Sequence, residues 1–138
     1  MLKIAHHALY NHPLKENHRF PMIKYELIPE QLIMENTCVE NNFFKPKIIS
    51  EENVLFTHDK LYFEKLQNQQ LDRKEIRAIG FPMSEKLIER EKTIVQGTIE
   101  CSLNSLKYGV SMNIAGGTHH AFTNLSLIHI SEPTRLGA

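Results

Sequence analysis

The apolar positions of this chain fall into short runs and helically spaced stripes, a pattern that predicts alternating strands and helices. Apolar runs at 2–5, 54–57 and 110–115 predict three strands. The longest stripe predicts a helix that begins near Ser84, a good N-cap, and ends near Gly109, which can adopt the left-handed conformation. Its apolar face is wide enough to cover a sheet and consists of Leu87, Ile88, Ile94, Val95, Ile99, Leu103 and Leu106. We therefore expect an α/β fold with a parallel sheet.

Shorter elements are predicted between these strands. Residues 11–21 are polar and contain proline, which predicts an ordered loop. Pro21 suits the first turn of a helix, and Pro29 is expected to interrupt that helix and to open a second one ending near Glu35. A further helix through about Gln69 is predicted by the spacing of Leu61, Tyr62, Lys65 and Leu66.

The composition indicates one globular domain and narrows the possible partners. Among 138 residues, 16 Lys and Arg balance 16 Asp and Glu, which leaves no electrostatic basis for direct binding to nucleic acid or a membrane surface. The charged run Glu85–Lys92 is expected to be the solvated face of the long helix. No membrane span or signal peptide is predicted, and Cys38 and Cys101 match no metal or redox spacing. A cytoplasmic protein with reduced thiols is expected.

The stretch Gly116-Gly117-Thr118-His119-His120 is the most informative part of the chain, because it follows a predicted strand directly. In parallel sheets chemistry collects beyond the carboxyl ends of strands, and two histidine-bearing loops fit that rule, one after Phe56 and one after Ile114. A pair of imidazoles can divide general-base and electrostatic roles. The alternative is that both histidines cap or hydrogen-bond within a tight loop, and residue types alone favour this alternative.

Several segments match one known family in order and content. Residues 113–122 contain a Gly-Gly-x-His-His-Ala signature, and residues 12–22 contain a His-Pro…His-Arg…Met pattern. Residues 57–62 form a His-x-x-x-Tyr segment, and residues 80–84 match the loop before a long helix. Together these segments resemble the histone deacetylase family, its bacterial and class-IV-like members above all, from Leu2 to about Asn124. The resemblance implies the three-layer α/β fold of the arginase/deacetylase type.

The resemblance also implies roles for individual residues. His120 would be the general base that activates a zinc-bound water, and His119 would support it electrostatically. Arg19 would line an internal channel, although an ordinary surface or capping arginine is equally open. Phe81 and Gly117 would lie at the pocket. His58 is expected to be a structural histidine below the site.

The metal ligands of the family have no counterpart in this sequence. The family pattern has an Asp-x-His pair and a second Asp after the His-His loop, whereas this chain has only Asp59 and Asp72, both upstream. The other histidines, His6, His7, His12 and His18, match no closed zinc pattern and are expected to serve packing and loop hydrogen bonds. We expect no metal ligand in this chain, with zinc bound only by an intact parent protein.

From Leu125 onward the chain departs from the family. Residues 125–135 look like the translation of a transposase-based sequencing adapter. We therefore expect residues 1–124 to be the N-terminal part of a deacetylase domain, truncated after the His-His loop. Residues 125–138 are expected to be a non-native tail, in which His129 has no functional role.

Two functions from different classes follow. The first is a fragment of a zinc-dependent deacetylase that hydrolyses N-acetyl amides, with acetyl-lysine or a small acetylated amine such as an acetylpolyamine as partner; the fragment itself is expected to be inactive. The alternative is a non-catalytic α/β binding or interaction module. A nucleotide-binding domain would rest on Gly116-Gly117 alone, without the full glycine fingerprint.

Overall fold

The computed structural model describes residues 1–117 and 123–124. Three strands and five α-helices occur in these residues, in the order β1 (Lys3–Ala5), α1 (Lys24–Met34), β2 (Phe43–Phe44), α2 (Glu51–Leu55), α3 (Lys60–Gln67), α4 (Arg73–Ile79), α5 (Glu85–Tyr108) and β3 (Ser111–Asn113). Single 3₁₀ turns are found at Ala8–Tyr10 and Glu40–Asn42. His119, His120 and the expected tail lie outside the described residues.

The described strands form one parallel sheet in the order β2-β1-β3. Ala5 of β1 lies opposite Phe44 of β2 on one side and Asn113 of β3 on the other. The connections between these parallel strands contain helices, and α5 packs against both β1 and β3. The expected α/β class with a parallel sheet is thereby confirmed.

Helix α5 begins and ends where its sequence predicts. The Ser84 hydroxyl accepts a hydrogen bond from the Leu87 amide at 3.1 Å, and Gly109 closes the helix at φ +88°. Its apolar face is only partly covered, however. Leu87 and Ile94 are fully buried, whereas Leu103 and Leu106 are 63% and 86% exposed. The expectation that the whole stripe covers a sheet is wrong, because the short strands lie against the earlier turns of the helix.

Two clusters of apolar side chains, each with residues of α5, form the core. The first joins α2, α3 and α4 to the helix and contains Ile49, Val54, Tyr62, Phe63, Leu66, Leu71, Ile79 and Ile88. The second joins the loop after β1 and the start of α1 to the end of β3 and contains Tyr10, Met22, Tyr25, Phe81, Leu87, Ile94 and Ala115. The second cluster therefore supports the carboxyl edge of the sheet.

The strand predicted at 54–57 is instead the end of helix α2 and a following turn. The Ser50 hydroxyl caps this helix by accepting from the Asn53 amide at 3.3 Å, and Glu51 and Glu52 occupy its first turn. Acidic residues are favourable there because they face the positive end of the helix dipole. A short apolar run does not distinguish a strand from a buried helical turn, and here the capping residues decide for the helix.

The predicted break at Pro29 does not occur, because α1 continues through it. A proline has no N–H, so the carbonyl of Tyr25, four residues earlier, loses its helical partner. The imidazole Nε2 of His6 donates to this carbonyl at 3.1 Å. A donor from the segment after β1 thus replaces the missing hydrogen bond of α1.

Two elements were not predicted, β2 and α4. Helix α4 carries a clear signal in hindsight: the Asp72 carboxylate accepts from the amides of Lys74 and Glu75, and the Glu75 side chain accepts from the Asp72 amide, each at 2.8 Å. This reciprocal arrangement is a capping box. Among the described residues, none of the helices is long and apolar enough to cross a membrane.

Candidate functional site at the carboxyl edge of the sheet

The carboxyl ends of β1 and β3 lie side by side, since Ala5 pairs with Asn113. Ile114 extends this pairing by donating its amide to the Ala5 carbonyl at 3.1 Å. Ala115 is buried, and the chain then emerges at the surface through Gly116 and Gly117. The predicted site residue Gly117 thus lies at the exit from β3, immediately before the segment that contains His119 and His120. The roles of those two histidines stay predictions, because they lie outside the described residues.

The second histidine-bearing loop connects α2 to α3 and lies against Thr123. The Nδ1 atom of His58 is 3.2 Å from the Thr123 carbonyl oxygen, and the Asp59 amide donates to the same oxygen at 3.0 Å. Thr123 follows the histidine pair by three residues in the sequence, and these two contacts join the loop after α2 to that later part of the chain. His58 is only 6% exposed, which fits the structural role expected for it.

Phe81 lies in the core beside the loop after β1. It is 2% exposed, stacks on the ring of His18 with centroids 5.5 Å apart, and meets the Phe20 ring edge-on at the same distance. Phe81 therefore belongs to the same apolar cluster as Ala115, while a role for Phe81 in a pocket stays a prediction. Arg19, in the same loop as His18, is exposed. Its role in an internal channel also stays a prediction.

Arg90, on the inner face of α5, is a fully buried arginine. Its Nε donates to the carbonyl of Tyr10 at 2.7 Å, and its Nη1 donates to the Glu91 carboxylate. The guanidinium carbon lies 5.2 Å from the ring centroid of Tyr25. Within the described part of the chain its Nη2 has no hydrogen-bond partner. Arg90 therefore joins α5 to the 3₁₀ turn that follows β1.

The expectation that residues 85–92 form a solvated face is wrong for Arg90 and Glu91. Burial raises the pKa of Glu91 to about 7, although the neighbouring guanidinium opposes this shift. The signal was present in the sequence, because Leu87, Arg90, Glu91 and Ile94 follow the i, i+3, i+4, i+7 spacing of one helix face. Charge suggested a solvated face, but the position on the helix determined the burial.

A groove of about 280 Å³ lies between α1 and the strands β1 and β2. Its lining combines an apolar floor with three carboxylates and consists of His6, Glu26, Pro29, Glu30, Ile33, Glu40 and Phe43. Burial lowers the pKa of His6, while its hydrogen bond to the Tyr25 carbonyl acts in the opposite direction. The neutral imidazole is thus favoured in the folded protein.

The described residues do not provide a zinc site. Groups of three or more His, Cys, Asp or Glu side chains that could hold a metal do not occur within 1–117 and 123–124. Both aspartates already serve as helix caps: Asp59 accepts from the Tyr62 amide at 2.9 Å, and Asp72 caps α4. These residues therefore do not fit the ligand set of a catalytic zinc, which ordinarily has three protein ligands.

Comparison with solved structures identifies the fold. A histone deacetylase homolog in complex with SAHA superposes with a TM-score of 0.71 and 24% identity, over 94% of this chain and 38% of that one. A second homolog, from Aquifex aeolicus, gives a TM-score of 0.68 and 25% identity, over 90% and 36% of the two chains. The fold is that of the histone deacetylase homologs. The expected arginase/deacetylase type is confirmed, with a three-stranded parallel sheet in the described part of this deacetylase-like fold.

Sequence comparison gives a further relative but no family assignment. An uncharacterized protein of Picosynechococcus sp. is 33% identical over 119 residues, which cover 86% of this chain and 40% of that protein. No protein-family profile matches the chain. The chain spans about two fifths of the length of the deacetylase-like proteins and of the relative that it matches.

Proposed function

We propose that this chain is the N-terminal part of a cytoplasmic, zinc-dependent deacetylase that hydrolyses N-acetyl amides. The substrate would be acetyl-lysine or a small acetylated amine. The observation that carries the proposal is the deacetylase-like fold, which extends over more than nine tenths of the chain. One of the two homologs was solved with SAHA bound, which favours a ligand site in the complete fold.

The Gly-Gly-x-His-His-Ala signature supports the reaction class, because it follows the exit of β3 at the carboxyl edge of the sheet. In the proposal, His120 takes the proton of the attacking water and later delivers it to the leaving amine. General-base catalysis of this kind contributes about 10² to 10⁴ in rate. His119 supports the charge that develops on its neighbour. The proposal assigns zinc ligation to the rest of a longer protein.

The proposal also includes the truncation expected from the sequence. It takes residues 1–124 as native and residues 125–138 as an adapter-derived tail. Sequencing the intact locus across codons 124 and 125 tests this directly. Reads that continue into a Gly-x-Gly-Phe-Cys type segment and a later Asp-x-His pair support the proposal. Reads that continue into the present tail contradict it.

The biochemical test compares zinc content and turnover of an acetyl-lysine substrate in three proteins. The 138-residue chain is expected to show neither stoichiometric zinc nor turnover, whereas the longer protein from the intact locus is expected to show both. His120→Ala in the longer protein should lose about 10² or more in kcat and keep its zinc, because a general base is not a ligand. Zinc-dependent turnover by the 138-residue chain contradicts the fragment proposal.

Two other outcomes identify the alternatives. If His120→Ala also loses zinc, His120 is a ligand and not the base. If the longer protein neither binds zinc nor hydrolyses the substrate, the enzymatic proposal fails and the non-catalytic interaction module remains.

A further inference from the structure

A network of hydrogen bonds around the buried Tyr10 hydroxyl and the half-buried Asn113 side chain lies at the exit from β3. The hydroxyl of Tyr10 donates to Oδ1 of Asn113 at 2.9 Å, and the Ala115 amide donates to the same oxygen at 3.4 Å. The Nδ2 atom of Asn113 donates to the Ile94 carbonyl at 2.9 Å and to the Thr98 hydroxyl at 3.1 Å. Both ends of the Asn113 amide are therefore engaged, one toward the loop after β3 and one toward α5.

Close packing holds this network against α5. A Cβ atom on Gly97 would lie 2.6 Å from the Tyr10 hydroxyl and 2.8 Å from Nδ2 of Asn113. Real Cβ atoms essentially never come so close to other heavy atoms, so only glycine at this position allows both side chains to approach the helix. Tyr10 is fully buried, and burial raises its pKa, so its hydroxyl stays a neutral donor. Its main chain is fixed separately by Arg90, which donates to its carbonyl.

We propose that Tyr10 and Asn113 are positioning residues that set where the chain leaves β3 for His119 and His120. Asn113 is the last residue of the strand, and its Oδ1 binds the main chain at Ala115, two residues before Gly117. The inference rests on the proposed function, because the position of this exit matters chemically only if His120 is the base. It adds to that function by naming two residues that act through the loop without touching substrate.

Hydrogen bonds fix the position of the chain at this place more narrowly than apolar packing does. Apolar groups tolerate small shifts and rotations, whereas a carbonyl oxygen that accepts from both a phenol and a main-chain amide fixes the distance and direction of both donors. The half-buried amide of Asn113 also disfavours an alternative exit of the strand, because such an exit breaks its hydrogen bonds to Tyr10, Ala115 and α5.

Hydrogen exchange measured by mass spectrometry on the full 138-residue chain tests the positioning. Tyr10→Phe removes only the hydroxyl, and we expect about fivefold faster exchange in peptides that cover 110–124, the factor for one net hydrogen bond. Peptides from α3 should exchange as before. Ile79→Val is the matched control, because it removes one methyl group from the other core cluster. It should accelerate exchange around α4 and leave 110–124 unchanged.

Gly97→Ala provides a second, independent variant. Its Cβ would collide with the Tyr10 hydroxyl and with Nδ2 of Asn113, so its effect on 110–124 should be smaller in a Tyr10→Phe background, where only the second collision remains, than in the wild type. Equal effects in both backgrounds contradict the proposal. It is also overturned if Tyr10→Phe accelerates exchange uniformly along the chain, which is the result of a merely structural role, or if it has no effect.

Kinetics of the longer protein separate this inference from the proposed function. Tyr10→Phe should lower kcat severalfold while KM and zinc content stay unchanged, because the hydroxyl orients the loop and contacts neither substrate nor metal. If the longer protein has no deacetylase activity, the proposed function fails, and the exchange experiment still decides whether these residues position the loop. If the longer protein is active and Tyr10→Phe leaves kcat unchanged, the positioning role is wrong.

Discussion

Replacing His6 tests whether its imidazole compensates for the proline in α1. Pro29 leaves the carbonyl of Tyr25 without a helical donor, and the His6 imidazole donates to it at 3.1 Å. Tyr25 is only 3% exposed, so water cannot readily replace this donor. His6→Phe keeps an aromatic ring between Tyr10 and Phe43 and removes the N–H. Leaving a buried acceptor without a partner costs about 1–3 kcal/mol.

If the His6 donor compensates for Pro29, the effect of a substitution at position 6 depends on the residue at position 29. In Pro29→Ala, the new amide of residue 29 can donate to the Tyr25 carbonyl, as in any regular helix. In the Pro29→Ala background, His6→Phe should therefore lower the free energy of unfolding by about 1 kcal/mol or less. This is the usual effect of losing one hydrogen bond when the acceptor keeps another donor. The expected coupling energy is about 1–2 kcal/mol, within the range for residues that share one hydrogen-bond acceptor.

Urea denaturation of the wild type, both single variants and the double variant measures this coupling. His6→Gln serves as the control, because its amide can still donate to the Tyr25 carbonyl and should recover part of the loss. The reasoning is refuted if His6→Phe costs the same with proline or alanine at position 29. If His6→Gln and His6→Phe lower the free energy of unfolding by the same amount, the N–H of His6 does not stabilise the fold, and the reasoning is also refuted.

Three further predictions concern stability and association. Burial lowers the pKa of His12, so the free energy of unfolding should fall as the pH drops below about 6.5, and His12→Gln should flatten that fall in urea titrations at pH 7.5 and 5.5. Gly109→Ala should lower the free energy of unfolding by about 1–2 kcal/mol because φ is +88° there. Gly116→Ala should be almost neutral, although that position is equally free of close neighbours, and equal melting temperatures of the two variants would contradict this. Leu106→Lys should reduce self-association in light scattering, since that side chain is 86% exposed. Lys107→Leu should increase self-association. A monodisperse wild type would refute the expectation that the exposed Leu106 makes the chain associate.

Local start and stop signals predicted some helices, whereas the equally local caps of α2 at Ser50 and of α4 at Asp72 were not used in the prediction. Ser84 and Gly109 marked both ends of α5, and Asp59 preceded the helix that the structure shows at 60–67. At Pro29 the prediction failed because a tertiary contact decided the outcome. A donor from His6, distant in sequence, keeps α1 continuous at Pro29, and no local pattern contains that information.

At the candidate site, too, the local sequence predicted some features and missed others. The carboxyl edge of the sheet was predicted from the run at 110–115 and the glycines that follow it, and β3 lies there. The polar groups beneath it were not predicted, because Tyr10 and Asn113 are 103 residues apart and no local pattern links them. Helix periodicity would have predicted the burial of Arg90, but its charge led to the prediction that it is exposed to solvent.

The central position of β1 determines when this sheet can form during synthesis. Lys3 pairs with Ser111, so one of the two neighbours of β1 exists only after residues 111–113 have been synthesised. At ordinary rates of translation, that delay is about 5–20 s. During this interval the helices can form from local contacts, while the edge of β1 toward β3 stays open to chaperones or to other nascent chains.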